Sequence, residues 1–364
     1  MRRILPLVLL LSGGALPAQS FWDSQVRFGP QFVSYDIKAP VNERVSQVAF
    51  PMFVSVPVLP ALTIDIGTAY ASANHERIAV DSTGALVTIS SALSGLTDTQ
   101  LRAIYSLGQD RVVLTAGLNL PTGSATLKPD EFDAATRIGS DFLSFPVSGF
   151  GSGFGMTGGV AVAQPMGTWN VGAGASLRSA GEYEPFEDGS GTATSFKPGA
   201  EVRARIGADH PWGTGRVSLG LTFSKYGDDR ANAAVYNTGD RFIGQVAVSN
   251  SLENGVDYSV VLWNLYRAAG TLIDQSVSPS GNITNAMVIF GVSAPANVRV
   301  EPSIETRLWS QQGANTSFSA TLGTRLVVDR GTWAMVPGFG FTIGTLDAAT
   351  LTGMRATLTV RVGG

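Results

Sequence analysis

The chain of 364 residues contains no cysteine, so disulfides, thiolate metal sites and a lipid-modified cysteine are all excluded. Charge is scarce: Asp, Glu, Lys and Arg make up 15% of the residues, against roughly 25% in an ordinary soluble domain. Lysine is confined to Lys38, Lys128, Lys197 and Lys225, and the only histidines are His75 and His210. No Gly-x-Ser-x-Gly element marks a serine nucleophile. A long uninterrupted apolar run is missing too. The one candidate, residues 48–67, carries Pro51, Pro57, Pro60 and Asp65. Three prolines there would leave backbone groups unpaired in lipid, so a membrane helix is excluded.

The first residues are distinctive. Arg2 and Arg3 precede an apolar stretch at 4–11, and Ala18-Gln19-Ser20 supplies small residues before Phe21. That is the pattern of a cleaved signal peptide over residues 1–20, leaving 21–364 as one domain. Without Arg2 and Arg3, the 25 basic residues become 23 against 28 acidic ones, a net charge of −5. A nucleic-acid partner is therefore not expected.

Alternation is the strongest signal. From Val298 to Trp309, Arg299, Glu301, Ser303, Glu305 and Arg307 share one side of an extended chain, while Val298, Val300, Pro302, Ile304, Thr306 and Leu308 share the other. Comparable segments are predicted at 24–37, 43–56, 61–73, 98–107, 110–120, 153–164, 167–179, 195–208, 213–225, 238–250, 256–267, 282–293, 296–309, 315–328, 331–343 and 350–362. Each is long enough to cross a bilayer core as a tilted strand. Short and long connections generally alternate, as in barrels with tight periplasmic turns and long external loops. The expectation is an all-β fold, an antiparallel transmembrane β-barrel of about sixteen strands, with twelve or fourteen as alternatives. Both chain ends would then be periplasmic. Trp22, Trp169, Trp212 and Trp333 fall beside short turns or the chain start, where an aromatic girdle belongs, and Trp309 falls near the external rim.

Residues 94–123 place Asp98 before a hairpin that closes on Leu-Pro-Thr-Gly at Pro121, Thr122 and Gly123. This segment resembles the bacterial outer-membrane transporters of fatty acids and aromatic hydrocarbons, together with the related family of meta-pathway phenol degradation. The match covers about 30 residues. The resemblance implies an uptake barrel for hydrophobic solutes. The pattern departs from these barrels in two respects: strand one follows the signal almost at once, with no room for the N-terminal plug of the fatty-acid transporters, and the final strand ends Leu-Thr-Val-Arg-Val-Gly-Gly without their C-terminal aromatic.

Continued alternation places Glu201, Arg203 and Arg205 on the charged face with Arg299, Glu301, Glu305 and Arg307, and predicts Asp65, Arg102, Arg241, Arg325, Arg355 and Arg361 there too. Such a lining either braces the wall as an ion-pair ladder or selects anions. The longest predicted loop, 121–152, leads into a Gly-rich run with Phe150 and Phe154. It is either a solvated external loop or a folded-in constriction whose phenylalanines meet an apolar ligand. The acidic cluster Glu182, Glu184, Glu187 and Asp188 lacks calcium-loop spacing and reads as hydrated loop.

The expected function is passive diffusion of small solutes, hydrophobic or anionic, across the bacterial outer membrane. The alternative is a barrel with a filled lumen that serves structural or surface-binding roles. Neither enzymatic activity nor a cofactor or metal is expected. The partners expected are outer-membrane lipid, lipopolysaccharide, the barrel-assembly machinery and a small-molecule solute.

Overall fold

The computed structural model describes residues 24–38, 42–80, 82–252 and 255–363. The expected signal peptide and Trp22 lie outside the described residues. Eighteen hydrogen-bonded segments form one sheet, and two strands are each interrupted once, which gives sixteen strands. They are β1 (Gln25–Phe28 and Gln31–Lys38), β2 (Glu43–Leu59), β3 (Leu62–Val80) and β4 (Leu86–Leu96 and Thr99–Leu107). Next come β5 (Val112–Leu120), β6 (Gly155–Met166), β7 (Trp169–Ala180) and β8 (Glu201–Trp212). The second half contains β9 (Gly215–Tyr226), β10 (Arg241–Ser251), β11 (Val256–Arg267) and β12 (Gly281–Ala294). It ends with β13 (Val298–Gln311), β14 (Ser317–Asp329), β15 (Trp333–Leu346) and β16 (Ala349–Val362). Each strand pairs antiparallel with the next, and β1 pairs with β16 to close the barrel. Closure leaves no sheet edge in lipid, the condition for β-structure to span a membrane.

The outward face is apolar for the reason seen in the sequence. Ile304 and Leu308 of β13 are exposed, as are Phe339, Phe341 and Ile343 of β15 and Val202 and Ile206 of β8. In water this belt would be an aggregation surface; around a closed barrel it is the lipid contact. Trp212 and Trp333 are exposed beside tight turns. The turns are short because their residues tolerate positive φ: Ala296 and Asn297 adopt 64° and 56°, and Asp347 and Ala348 adopt 47° and 70°. Two successive positive values make the turn that matches the twist of a β-hairpin. β1 breaks at Gly29, where a Cβ would lie 1.9 Å from the Leu358 carbonyl oxygen.

One expectation is corrected here. Residues 74–97 are not a long loop: β3 continues to Val80 and pairs with the Leu86–Leu96 half of β4. This part of the hairpin alternates Ser, Ala, Asn and Glu, so it lacks the apolar contrast that reveals a strand facing lipid. Trp309 lies near the end of β13 and faces inward, with its ring 6.1 Å from that of Phe142.

The long connections also carry structure. Residues 121–154 include the short helix α1 (Phe132–Ile138). Four short strands, Tyr183–Glu187, Ala193–Lys197, Asp229–Ala231 and Ala234–Tyr236, form a small sheet at the same end of the barrel.

Candidate functional site: a lumen narrowed by an inward segment

Residues 121–154 fold into the barrel rather than out into solvent. Ile138, Phe142, Leu143, Phe145, Val147 and Phe150 are buried against Val33, Tyr35, Ile37, Val45 and Ala49 of β1 and β2, with Ala69, Ala71, Ala73 and Leu93 of β3 and β4 and Leu351 of β16. Alanines on the wall leave room for the phenylalanines of the segment. Between those buried side chains, Asp141, Ser144, Pro146 and Ser148 are exposed. The segment thus has one face glued to the wall and one left to the lumen.

Polar contacts fix its register. Gln47 Nε2 donates to the Val147 carbonyl at 2.7 Å, and the Val147 amide donates back to Gln47 Oε1 at 3.0 Å. Tyr35 donates its hydroxyl to the Leu143 carbonyl at 3.0 Å, and Arg307 Nη1 reaches the Phe142 carbonyl at 2.6 Å. Glu43 joins wall and segment, accepting from Arg137 at 2.7 Å and lying 3.3 Å from His75 Nε2. Arg77 holds Asp133 at 3.0 Å.

Asp98 ties down both ends of the segment. Its carboxylate accepts from the Gly123 amide at 3.1 Å at the start and from the Ser152 amide at 2.7 Å at the finish, with Asn119 Nδ2 at 2.7 Å. Thr122 accepts from the Thr99 amide at 2.8 Å, while Pro121 is exposed where the chain leaves β5. A Cβ on Gly123 would lie 2.0 Å from the Phe150 carbonyl oxygen and 2.7 Å from the Asp98 amide nitrogen. Gly123→Ala should therefore push the segment off its seat; faster cleavage of the intact barrel at residues 121–154 by added protease would show it, and an unchanged cleavage rate would refute it. The four residues that carry the family resemblance thus meet at one clamp.

Phe150 belongs to the buried cluster, whereas Phe154 is 43% exposed at the start of β6 and stands outside it. All thirteen charged residues expected on the lumen side lie on the face opposite the apolar belt. Glu301 is buried and accepts from Arg299 Nε at 2.8 Å and from Arg325 Nε; Arg299 also reaches Asp257. A Cβ on Gly291 would lie 2.0 Å from Arg299 Nη2, so this glycine makes the space through which Arg299 crosses β12 to β11. Arg307 pairs with Glu305 at 2.8 Å, and Glu305 accepts from Asn285 at 2.6 Å. Arg203 pairs with Glu201 at 2.6 Å. Asp65 accepts from Ser55 at 2.8 Å and stands opposite Arg102 in the ladder. Arg241 stacks over Tyr226 at 5.3 Å, and Arg355 borders a recess beside Phe142 and Leu143. Arg361 stands opposite Arg27.

Alternation alone did not single out Arg178, Asp209, Arg216, Asp257 or Arg267. They belong to the same face, and Arg216 pairs with Asp209 at 2.5 Å. The strands of Arg178, Asp209 and Arg216 intersperse Gly, Ala and Ser, which blurs the contrast between faces. The wall formed by β6 to β9 is correspondingly thin inside, with Gly159, Gly172, Gly174, Gly207 and Gly220 on the lumen side. Opposite it lies the wall covered by the inward segment.

In the small outer sheet, Tyr183, Phe196 and Tyr236 pack together. Burial there, with Asp229 nearby, pushes the Tyr236 phenol up to about 12. Burial likewise raises the Asp229 carboxyl, against the hydrogen bond it accepts from Gly199.

No family model matches the sequence, and no curated protein matches it. Solved structures do match in shape. OprB of Pseudomonas putida is 8% identical, with a TM-score of 0.51 over 93% of this chain and 92% of that one. An outer-membrane channel of Pseudomonas putida F1 is 10% identical, with a TM-score of 0.40 over 96% and 97%. CymD, a monoaromatic hydrocarbon channel, is 9% identical, with a TM-score of 0.41 over 93% and 88%. The closed sixteen-strand barrel, the lipid-facing belt and the charged interior define the chain as a transmembrane β-barrel.

Proposed function

We propose that the barrel is a passive channel for small solutes, narrowed by residues 121–154 and biased toward anions. The observation that supports this most directly is the division of the interior. One wall is covered by the inward segment, and the other is lined by glycines and arginines. Arginine stays charged in a restricted pore and offers a planar fork to carboxylates and phosphates. Ion pairs such as Arg307–Glu305 brace the wall, but arginines outnumber carboxylates on this face, and the surplus supplies the selectivity.

The segment's phenylalanines are turned into the wall, which speaks against an apolar track along it. His75 is engaged with Glu43, and His210 stacks on Trp169 near the tight turns at the other end. That separation supports transport rather than catalysis. The reading includes export through a signal peptide at residues 1–20, insertion by the barrel-assembly machinery, and lipopolysaccharide around the external rim.

Single-channel recording in a planar bilayer tests the reading. Folded protein should conduct, with reversal potentials favouring chloride over potassium. The Arg299→Ala, Arg307→Ala double variant should reduce that preference. A sealed bilayer with folded protein inserted would overturn the channel.

A further inference from the structure

The recess beside Phe142 and Leu143 is formed jointly by the inward segment and the barrel wall, and Glu305, Arg307, Ser319 and Arg355 all line it. Glu305 stands on β13 and Arg355 on β16, three strand spacings away, or roughly 14 Å across the sheet. Between them the inward positions of β14 and β15 are small: Thr321, Gly323, Gly340 and Thr342. The glycines have little room to grow, since a Cβ on Gly323 would lie 2.9 Å from Ser303 Oγ and one on Gly340 would lie 3.3 Å from Thr321 Cγ2. A low floor therefore separates a carboxylate from a guanidinium that does not reach it.

The polar groups of the recess are only partly used. Arg307 Nη1 donates to the Phe142 carbonyl at 2.6 Å and Nη2 to Glu305 Oε1 at 2.8 Å, while Asn285 donates to that same oxygen at 2.6 Å. Glu305 Oε2 accepts from none of the described residues. Arg307 is 8% exposed, and its Nε is buried with no partner. Among the described residues, the Ser319 hydroxyl and the Arg355 guanidinium also have no hydrogen-bond or ion-pair partner. Arg307 and Glu305 neutralise each other, so the charge left at the recess is that of Arg355.

Polar groups held out of water without partners are costly, and a ligand that supplies the missing contacts recovers that cost. Three requirements follow. The ligand needs one negative charge, acceptor oxygens for Arg355 and Ser319, and a donor for Glu305 Oε2. A plain carboxylate meets the first two but sets a like charge against Glu305. An amino acid supplies the donor but brings no net charge. A carboxylate with a neighbouring hydroxyl meets all three: its planar oxygens match the guanidinium fork, and its hydroxyl donates to Glu305. Phe142 and Leu143 close one side of the recess, which restricts the ligand to a few carbon atoms.

We propose that Arg355, Ser319 and Glu305 form a binding subsite for a small monoanionic hydroxy acid, with its carboxylate on Arg355 and Ser319 and its hydroxyl on Glu305. The subsite deepens the reading of an anion-biased channel and rests on that reading for its role in transport. Its occupancy, however, can be measured without current.

The test has two arms, both with the full barrel folded in detergent or lipid. In the first, ligand-observed NMR titrations compare lactate with propionate, which lacks the hydroxyl, and with alanine, which lacks the net charge. Saturable lactate binding, tighter than that of either analogue, is expected. The Arg355→Gln variant should weaken lactate by about tenfold, the loss of one charge-assisted contact. Ser319→Ala, which keeps every charge, should weaken it less, and Arg330→Gln, a charge-matched change in a tight turn, should leave it unaltered. Heat-modifiable gel mobility checks that each variant is folded. Absence of saturable lactate binding, equal or tighter binding of propionate or alanine, or an equal loss in Arg330→Gln would overturn the subsite.

In the second arm, lactate is added to barrels conducting chloride. Reduced chloride current in the wild type, with a half-blocking concentration raised in Arg355→Gln, supports the subsite. Lactate binding without any conductance would retain the subsite and overturn the channel. Conductance without lactate binding would do the reverse.

Discussion

Replacing Asp98 by alanine should release the constriction and raise single-channel conductance severalfold. The carboxylate is buried and accepts from the Gly123 and Ser152 amides and from Asn119, so its removal strands three donors at once. Leaving a buried donor without its acceptor costs about 1–3 kcal/mol for each group. The sixteen-strand wall does not depend on it, because its ladders run through other residues. The cost therefore falls on the attachment of residues 121–154, whose hydrophobic seat remains but whose two ends come loose. Asp98→Asn should be milder, since the amide oxygen still accepts. Conductance traces with larger, noisier openings for Asp98→Ala, at unchanged folded yield, are the expected result. Equal conductance in the two proteins would show that the clamp does not hold the constriction.

Replacing Glu301 by glutamine should have the second-largest effect. Glu301 accepts from both Arg299 and Arg325, and its side chain is 9% exposed while theirs are 36% and 52%. Two guanidiniums would then face each other with only Asp257 near one of them. Full burial would make the loss severe, but solvent in the lumen screens the arginines, so about 1–3 kcal/mol is expected. The same change adds one net positive charge to the lining. Unfolding in denaturant should shift to lower concentration, and the reversal potential should move further toward the anion. A variant with unchanged stability and unchanged selectivity would mean that this ladder neither braces nor selects.

The two results separate roles that the sequence leaves joined. In β13 the period of two placed Arg299, Glu301, Glu305 and Arg307 on one face, and the structure finds them there. The same reasoning located all sixteen strands, because a strand in lipid must be apolar outside and an interior with water can be polar. It faltered where that contrast disappears. The upper halves of β3 and β4 stand clear of the apolar belt and alternate small with polar residues, so they read as a loop. Arg178 and Asp209 sit on strands rich in glycine, serine and alanine, where neither face declares itself.

Asp98, Pro121, Thr122 and Gly123 were legible as a motif, but not as a clamp. The clamp also needs Ser152 and Asn119, and no local pattern connects a residue to partners 54 positions away. The inward course of residues 121–154 was legible only as one of two alternatives. Its alternation of buried phenylalanines with exposed polar residues depends on a wall of alanines supplied by β2 and β3.

The sequence by itself determined the barrel, the lipid-facing belt and the charged inner face, since each follows from the period of the strand and the solvent on either side. Only the tertiary structure decided that the longest loop enters the lumen and that Asp98 holds both its ends. Those arrangements join residues far apart in the chain, and distance across a closed barrel is set by strand pairing around its whole circumference.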